Sequence, residues 1–339
     1  MKMFRRESKK LVGVGLGAGL AGALFVALKY ALRPFRKSPL PESISPAVFA
    51  TKVLHTTLGH VIYHEAGSGQ PLLFVHGVCL GGSSFEWSKV YPEFAGRFRV
   101  LAPDLIGFGE SQRPAARFAA ADYARMLAEF IRATCSGDAP PILVGSGLGA
   151  GFCVYLASQH PDLVSRLILH MPTGAREFGF GRLRLSTRIA AHVESLQRFL
   201  YRNYQSTREA VRNWLAAGFV DASRLTDEAV EVFTTCAQQS GAEYAIRNLH
   251  AGRLEFDLEA RMSSLKVPVT LLWGSEPGQP SLESGERLQK AATHCNLVVM
   301  PRVGAFAALE DPAMLAATLG EELDPTLRVV PGEGAIASI

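Results

Sequence analysis

Apolar runs that are short enough to be strands alternate with amphipathic stretches that have helical spacing. Helical patterns occur at 120–135 and 150–160, and a turn-like Leu-Gly pair between β-rich runs at 51–57 and 60–66 predicts a hairpin. Continuous apolar runs indicate strands buried on both faces of a parallel sheet. These runs are 71–77, 98–104, 140–145, 163–170, 267–274 and 295–301. The alternation predicts an α/β fold with a mostly parallel, doubly wound sheet.

One long segment interrupts this alternation. Residues 174–262 are mostly helical and rich in Arg, Ala and Leu, whereas the residues on both sides follow the strand and helix pattern. We therefore predict a helical cap at 174–262, inserted into a core formed by 51–173 and 263–323. The last residues, 324–339, are predicted to form a flexible tail.

The N-terminus contains an apolar stretch with basic residues on both sides. Residues 11–28 carry no charged side chain, and together with residues 29–32 they would span about 33 Å as a helix, enough to cross a hydrocarbon core. We predict a single-pass transmembrane anchor within residues 1–37 and a stiff, proline-rich spacer at 38–50. Membrane is thus the predicted location, although the similar basic content of both flanks does not assign its side.

A cleaved signal peptide is the alternative for this segment. The Arg5-Arg6 pair before a Gly/Ala-rich apolar run resembles a twin-arginine leader. The end of the run has no clear A-x-A cleavage site, which favours an anchor that stays attached.

The charge distribution argues against a nucleic-acid partner. The net charge of the chain is +4, but nine Lys and Arg residues and a single acid lie within residues 1–37. The other residues carry 26 basic and 30 acidic side chains, so the basic character belongs to the predicted anchor. Five cysteines lie far apart without a C-x-x-C pair, which predicts free, mostly buried thiols. No metal site and no cofactor are predicted.

The glycine-rich stretch ILVGSGLGAG at 142–151 fits two different motifs. Gly145, Gly147 and Ala150 match the G-x-G-x-x-A loop that holds a dinucleotide pyrophosphate at a helix N-terminus. Gly145 and Gly149 also match the outer positions of G-x-S-x-G, the turn that presents a catalytic serine, with Gly147 at the serine position. The stretch alone does not decide between them.

Three further motifs surround this stretch. FVHGVCLGGSSFEW at 74–87 has His-Gly at a strand end and a tryptophan near its close, and APDLIGFGESQRP at 102–114 has the form D-x-x-G-x-G-x-S. Two late segments, LLWGSEP and VVMPRVGAFAALEDP, complete the set. Together with the cap, these motifs resemble the α/β-hydrolase superfamily over residues 51–323. The resemblance implies that 142–151 is the sharp turn of the nucleophile and that Gly147 has a positive φ there.

The dinucleotide interpretation lacks its second element. That motif expects an acid about twenty residues after the glycines, at the next strand end. The chain has Leu169, His170 and Met171 there. A shifted hydrolase motif centred on Ser146 fails as well, because it needs glycines where Val144 and Leu148 stand.

All three catalytic positions that the resemblance implies are substituted. Gly147 stands at the nucleophile position, Pro277 at the acid position of W-G-x-x-D, and Ala305 at the histidine position of the last motif. A serine needs an adjacent imidazole to take its proton, and the imidazole needs an acid to orient it. We therefore predict that the usual acyl-enzyme route is absent.

The surrounding pocket keeps groups that could bind a ligand. The resemblance implies that the amides of Val78 and Leu148 form an oxyanion hole for a carbonyl or carboxylate. Gly77, which precedes Val78, is also a ligand-binding candidate. His76, Asp104 and His170 are further ligand-binding candidates, although structural hydrogen bonds are the favoured interpretation for all three. Cys79, beside the predicted hole, is a candidate for a displaced nucleophile, but packing is the favoured interpretation. Glu276 adjoins the predicted acid position, and we interpret it as solvated.

Two classes of function follow from the sequence. The first is a membrane-anchored, catalytically degenerate member of the superfamily that binds a small apolar, carboxylate or carbonyl ligand, or a partner protein. The second is an active esterase-like hydrolase or lyase that uses a non-standard set of residues.

Overall fold

The structure is a computed structural model that describes residues 45, 46, 48–174, 191–276 and 280–324. Its centre is an eight-stranded sheet with the strand order β1-β2-β4-β3-β5-β6-β7-β8. The hairpin β1–β2 and the pair β2–β4 are antiparallel, and all other pairs are parallel. The strands are β1 (Ala50–Thr56), β2 (Gly59–Ala66), β3 (Pro71–Val75), β4 (Arg99–Pro103), β5 (Ile142–Ser146), β6 (Arg166–His170), β7 (Val269–Gly274) and β8 (Cys295–Met300).

Helices connect the strands and cover both faces of the sheet. In the described residues they are α1 (Ala120–Thr134), α2 (Gly147–Gln159), α3 (Glu194–Leu200), α4 (Arg208–Ala216), α5 (Asp227–Ala237), α6 (Ala242–His250), α7 (Leu258–Ser263), α8 (Leu282–Ala291), α9 (Ala307–Glu310) and α10 (Pro312–Leu323). The predicted hairpin and mostly parallel sheet are confirmed.

The sequence pattern explains why these segments form these elements. Helix α1 buries Tyr123, Met126, Leu127 and Phe130, which lie on one face at helical spacing. In β3 the four residues after Pro71 are fully buried because helices cover both faces of this central strand. Helix α10 begins with a proline, and the Asp311 side chain caps it by accepting a hydrogen bond from Met314.

The described residues between β6 and β7, from 191 onward, are mostly helical and pack against the loops that follow the strands. One apolar cluster joins Phe85 of the core to residues of α4, α5 and the loop after β8. Members of this cluster from those elements include Val211, Leu215, Phe233 and Phe306. The helical content agrees with the predicted cap, and the predicted domain boundaries stay predictions.

The four buried cysteines and the half-buried Cys295 are all free thiols, as the sequence predicted. No helix within the described parts of the chain is both long and apolar enough to cross a bilayer. The predicted anchor at 1–37 lies outside these parts, as does most of the spacer at 38–50. The predicted tail at 324–339 lies outside them apart from its first residue.

Candidate functional site

A cavity of about 280 Å³ lies where β3 and β5 end and the cap begins. Core loops form one wall, and the end of α4 with the residues after it forms the other. Most of the lining surface is apolar, with a few polar groups among it. The lining residues are Gly77, Val78, Cys79, Glu86, Ser146, Gly147, Leu148, Thr173, Trp214, Ala217, Gly218, Ala305 and Phe306.

The turn from β5 to α2 has the sharp geometry that the sequence predicted. Gly147 has a φ of +53°, so the predicted positive φ is confirmed. A Cβ on Gly149 would lie 2.1 Å from the carbonyl oxygen of His76, and a Cβ on Gly145 would lie 2.8 Å from the Cα of Ala150. These two glycines therefore allow strand, loop and helix to approach one another closely.

Gly147 leaves open space where the motif would carry a side chain. A Cβ built on Gly147 would meet no atom within 4 Å, and the residue lines the cavity. Ala305, at the predicted histidine position, lines the same cavity. Pro277, at the predicted acid position, lies outside the described residues. The structure therefore brings two of the three predicted triad positions together, and neither side chain there can transfer a proton.

Two backbone amides at the cavity have no hydrogen-bond acceptor among the described residues. They belong to Val78, in the loop after β3, and to Leu148, in the first turn of α2. First-turn amides of a helix lack a partner within the helix and carry partial positive charge. Both residues line the cavity. These two amides are therefore the candidates for the predicted oxyanion hole.

His76 is buried behind the cavity and does not line it. Its Nδ1 lies 2.8 Å from the carbonyl oxygen of Gly77, and its Nε2 accepts a hydrogen bond from the Leu105 amide at 3.0 Å. The ring is therefore neutral with its proton on Nδ1, and burial lowers its pKa. His76 joins the loop after β3 to the loop after β4, which fixes the direction of the adjacent amides.

Asp104 holds its own turn and does not reach the cavity. Its Oδ1 accepts a hydrogen bond from the Ser84 amide at 2.6 Å, and its Oδ2 accepts one from the Glu110 amide at 2.7 Å. A Cβ on Gly109 would lie 2.1 Å from the carboxyl group, so this turn requires glycine there. These contacts give Asp104 a structural role.

One group of possible metal ligands includes Asp104. Side-chain atoms of His64, Asp104 and Glu110 lie within 4.8 Å of one another. The Asp104 oxygens already accept the two amide hydrogen bonds, and Glu110 pairs with the ring of His64 at 3.3 Å. The three groups are thus used within the protein, and we assign no metal to them.

His170 lies at the end of β6, beside the loop of Ala305 rather than in the cavity lining. Burial lowers the pKa of His170 to about 4, and a hydrogen bond with the Gly304 backbone opposes this shift. Its Nε2 has no partner in the described parts of the chain. Of the six predicted ligand contacts, Gly77, Val78 and Leu148 line the cavity, whereas His76, Asp104 and His170 do not.

The structure adds an acidic group that the sequence did not indicate. Glu86 is 1% exposed and lines the cavity. Its Oε2 accepts a hydrogen bond from the Gly77 amide at 2.7 Å, and the Ser146 side chain binds the same carboxyl group. Burial raises the pKa of Glu86 to about 7, against the opposing effect of these two hydrogen bonds.

The backbone of Gly77 lies next to the side chains of both Glu86 and Ser146. A Cβ on Gly77 would lie 3.3 Å from Oε2 of Glu86 and 3.7 Å from Oγ of Ser146. Cys79 also lines the cavity, but burial raises its pKa well above the usual thiol range, so its thiolate is scarce. Glu86 is therefore the titratable group of the cavity that changes charge near neutral pH.

A second buried acid ties the cap to the loop of Ala305. Oε1 of Glu310 accepts hydrogen bonds from the amides of Val220 and Asp221 at 2.8 and 2.7 Å. Its Oε2 accepts one from the Gly304 amide at 2.8 Å, and the Ala305 amide donates to the carbonyl of Gly218 at 2.8 Å. This clamp fixes the distance between the two walls of the cavity.

Comparison with known proteins agrees with this architecture. The model of a protein family described as the alpha/beta hydrolase fold matches residues 70–312. The chain belongs to the α/β-hydrolase fold family. The match includes the loop after β3, the turn at Gly147 and the loop of Ala305.

Similar members of the family include hydrolases. The chain is 27% identical over 258 residues to 2-hydroxy-6-oxo-6-(2'-aminophenyl)hexa-2,4-dienoic acid hydrolase of Metapseudomonas resinovorans, which covers 74% of this chain and 82% of the relative.

Solved structures of this α/β-hydrolase fold superimpose on most of the chain. A serine hydrolase involved in carbazole degradation has a TM-score of 0.69 at 22% identity and covers 83% of this chain and 100% of its own. A membrane phospholipase A has a TM-score of 0.66 at 22% identity and covers 96% of this chain and 98% of its own. At this identity the likeness is one of fold.

Proposed function

We propose that this α/β-hydrolase-fold protein binds a small carbonyl or carboxylate compound in the cavity and does not hydrolyse it through a Ser-His-Asp triad. The observation that carries the proposal is the pair of unpartnered amides of Val78 and Leu148. Both residues line a cavity in which Gly147 and Ala305 leave space. An oxygen atom of the ligand would accept from both amides, and the rest of the ligand would fill this space.

The lining indicates the size and polarity of the ligand. A cavity of about 280 Å³ with mostly apolar walls suits a compound with one polar group and an aromatic or aliphatic body. The rings of Trp214 and Phe306, whose centroids lie 5.0 Å apart, form its apolar wall. The relative from Metapseudomonas resinovorans acts, by its name, on an oxo acid, which is consistent with this class.

Binding of simple probes tests the proposal. Phenylacetone and phenylacetate carry a carbonyl and a carboxylate on the same aromatic body. Both should give saturation-transfer NMR signals with the protein, and these signals should disappear when one probe is displaced by an excess of the other. Absence of binding by both probes would contradict the proposal.

The loss of hydrolysis is tested separately. We expect 4-nitrophenyl acetate turnover by the wild type to be no faster than turnover by Val78→Pro, which removes one amide of the pair. Turnover that is lost in Val78→Pro would show that a hydrolytic route remains.

An enzyme with a non-standard residue set is the second candidate. The buried carboxyl of Glu86 favours it, because a carboxyl group with a pKa near neutrality beside an oxyanion site can give and take protons.

We also propose that residues 1–37 attach the domain to a membrane. The support is the uncharged stretch at 11–28, which is long enough to span a bilayer. A chain that begins near Ser38 should be soluble and folded, whereas the full chain should remain with membranes after a carbonate wash. Retention of the shortened chain by washed membranes would contradict the anchor.

A further inference from the structure

We propose that Glu86 is a catalytic base that moves a proton at the carbon beside a ligand carbonyl, so that the protein interconverts keto and enol forms. The inference rests on the proposed binding of carbonyl compounds in the same cavity. It assigns a reaction and a catalytic residue to that site.

The carboxyl group of Glu86 lies at the wall of the cavity. The Gly77 amide donates to Oε2 of Glu86 at 2.7 Å, and the next amide along the chain, that of Val78, has no acceptor among the described residues. The Glu86 carboxyl group therefore binds the amide that directly precedes the one proposed to hold the developing oxyanion, and Glu86, Val78 and Leu148 all line the same cavity.

The residue at the elbow limits the reactions that the site can perform. At Gly147 no side chain can attack a carbonyl carbon, and the open space around its Cα can hold the ligand. With a base and an oxyanion hole but no nucleophile at the elbow, the chemistry that remains is proton transfer next to the carbonyl. The mechanism needs no group that is absent from the described site.

The step balances without a co-reactant. The Glu86 carboxylate takes a proton from the carbon beside the carbonyl, and the C–H electron pair forms a C=C bond. The carbonyl π electrons move to oxygen, where the amides of Val78 and Leu148 stabilise the negative charge. The proton on Glu86 then goes to that oxygen, which gives the enol, or returns to carbon, which restores the ketone.

The surroundings of Glu86 give its carboxyl group a pKa that suits proton transfer near neutral pH. Burial raises the pKa of Glu86 to about 7, so both of its forms are present near neutral pH. The Gly77 amide binds the carboxyl group and holds its direction. The other titratable groups around it are Cys79 and His76, both of which are neutral near pH 7 because burial raises the pKa of Cys79 and lowers that of His76.

Hydrogen exchange measures the proposed step directly. Phenylacetone is incubated with the protein in D₂O, and the loss of its CH₂ signal is followed by NMR above the rate in buffer. The wild type should accelerate exchange, and Glu86→Gln should reduce this acceleration by about 100-fold or more. Glu93→Gln is the matched control, because Glu93 is exposed in the following turn of the same segment. It should leave exchange unchanged.

A pH profile and a binding measurement separate the possible outcomes. The enzyme-dependent exchange should rise with pH through an inflection near 7, as the carboxylate forms. Phenylacetone that binds without accelerated exchange, or full exchange in a folded Glu86→Gln variant, would overturn the inference and leave the binding proposal intact. A protein that binds neither phenylacetone nor phenylacetate would overturn both proposals, and binding of phenylacetate alone would overturn only the inference.

Discussion

Oε2 of Glu86 and the amide nitrogen of Gly77 lie 2.7 Å apart, which places a buried carboxyl group beside the predicted oxyanion hole. An ionised Glu86 would repel an anion held by the neighbouring Val78 amide, whereas a protonated Glu86 would not. The charge of this one side chain therefore separates the binding of carboxylates from the binding of neutral carbonyl compounds.

The affinity for phenylacetate should accordingly depend on pH. Burial raises the pKa of Glu86 to about 7, so the group is mostly neutral at pH 6 and mostly ionised at pH 8. We expect weaker phenylacetate binding at pH 8 than at pH 6, and little change for the uncharged phenylacetone. Titration calorimetry at both pH values measures this. Glu86→Gln should abolish the difference, and a pH dependence that survives in this variant would assign it to another group.

Glu86 should also make the stability of the wild type fall as pH rises. Its folded-state pKa is raised from 4.5 to about 7, so the folded protein keeps a proton that the unfolded chain releases between these values. The free energy of unfolding should therefore decrease across this window, by roughly 3 kcal/mol from this group alone. Denaturant unfolding of the wild type and Glu86→Gln at pH 4 and pH 8 tests the direction of this change.

In that experiment the Gln variant should gain stability relative to the wild type as pH rises. Glu93→Gln, which changes an exposed acid, should run parallel to the wild type. A wild type whose stability relative to Glu86→Gln increases between pH 4 and pH 8 would show that the Glu86 pKa is not raised.

Gly147→Ser restores a hydroxyl at the elbow and should cost stability without creating an esterase. A Cβ there meets no atom within 4 Å, so the cost comes from the φ of +53°, at about 1 to 2 kcal/mol. Gly96→Ser is the control, because Gly96 is exposed, has open space and does not have a positive φ. The denaturant midpoint of Gly96→Ser should equal that of the wild type.

The new serine should remain unreactive towards 4-nitrophenyl acetate because Ala305 supplies no base. Turnover that appears with Gly147→Ser would identify another group, such as Glu86 or His170, as a base within reach. An unchanged stability of Gly147→Ser would contradict the strain assigned to this turn.

Among the acids at the contact between cap and core, Glu310 should cause the largest loss of stability when it is replaced. Glu310→Ala leaves the amides of Val220, Asp221 and Gly304 without their acceptor, which should lower the free energy of unfolding by at least about 2 kcal/mol. Glu321→Ala, at an exposed position of α10, should have little effect. Equal stabilities of the two variants would contradict the clamp.

Much of the core fold could be predicted because its signals are local. The strands have continuous apolar runs, α1 has a regular apolar face, and the glycines at 145 and 149 mark a close approach of backbones. For the same reason the positive φ of Gly147 could be predicted from the motif. Each of these signals depends on residues that are near one another in the sequence.

Glu86 and Glu310 could not be predicted because their roles depend on contacts made by folding. Glu86 stands between two buried aromatic residues, Phe85 and Trp87, and this is the one local sign that its side chain is not in water. Its partners lie in separate segments, Gly77 in the loop after β3 and Ser146 at the end of β5. The amides bound by Glu310 include two that are about ninety residues away.

The direction of each side chain decides which of the predicted ligand-binding residues line the cavity. His76 and Asp104 point into backbone hydrogen bonds behind the cavity, although Gly77, next to His76, lines the cavity. A motif gives the position of a residue along a loop, and it does not give the side of the loop on which the side chain lies.

The central claim is that a ligand oxygen binds to the amides of Val78 and Leu148, and the pair Leu148→Pro and Leu148→Ala tests it most directly. Proline is tolerated in the first turn of a helix, so Leu148→Pro should remove the amide and keep α2, whereas Leu148→Ala removes the same side chain and keeps the amide. The measurement is the dissociation constant of phenylacetone by titration calorimetry. We predict that Leu148→Pro weakens binding at least about 10-fold relative to Leu148→Ala, which corresponds to one lost hydrogen bond. Equal affinities in two folded variants would contradict the claim.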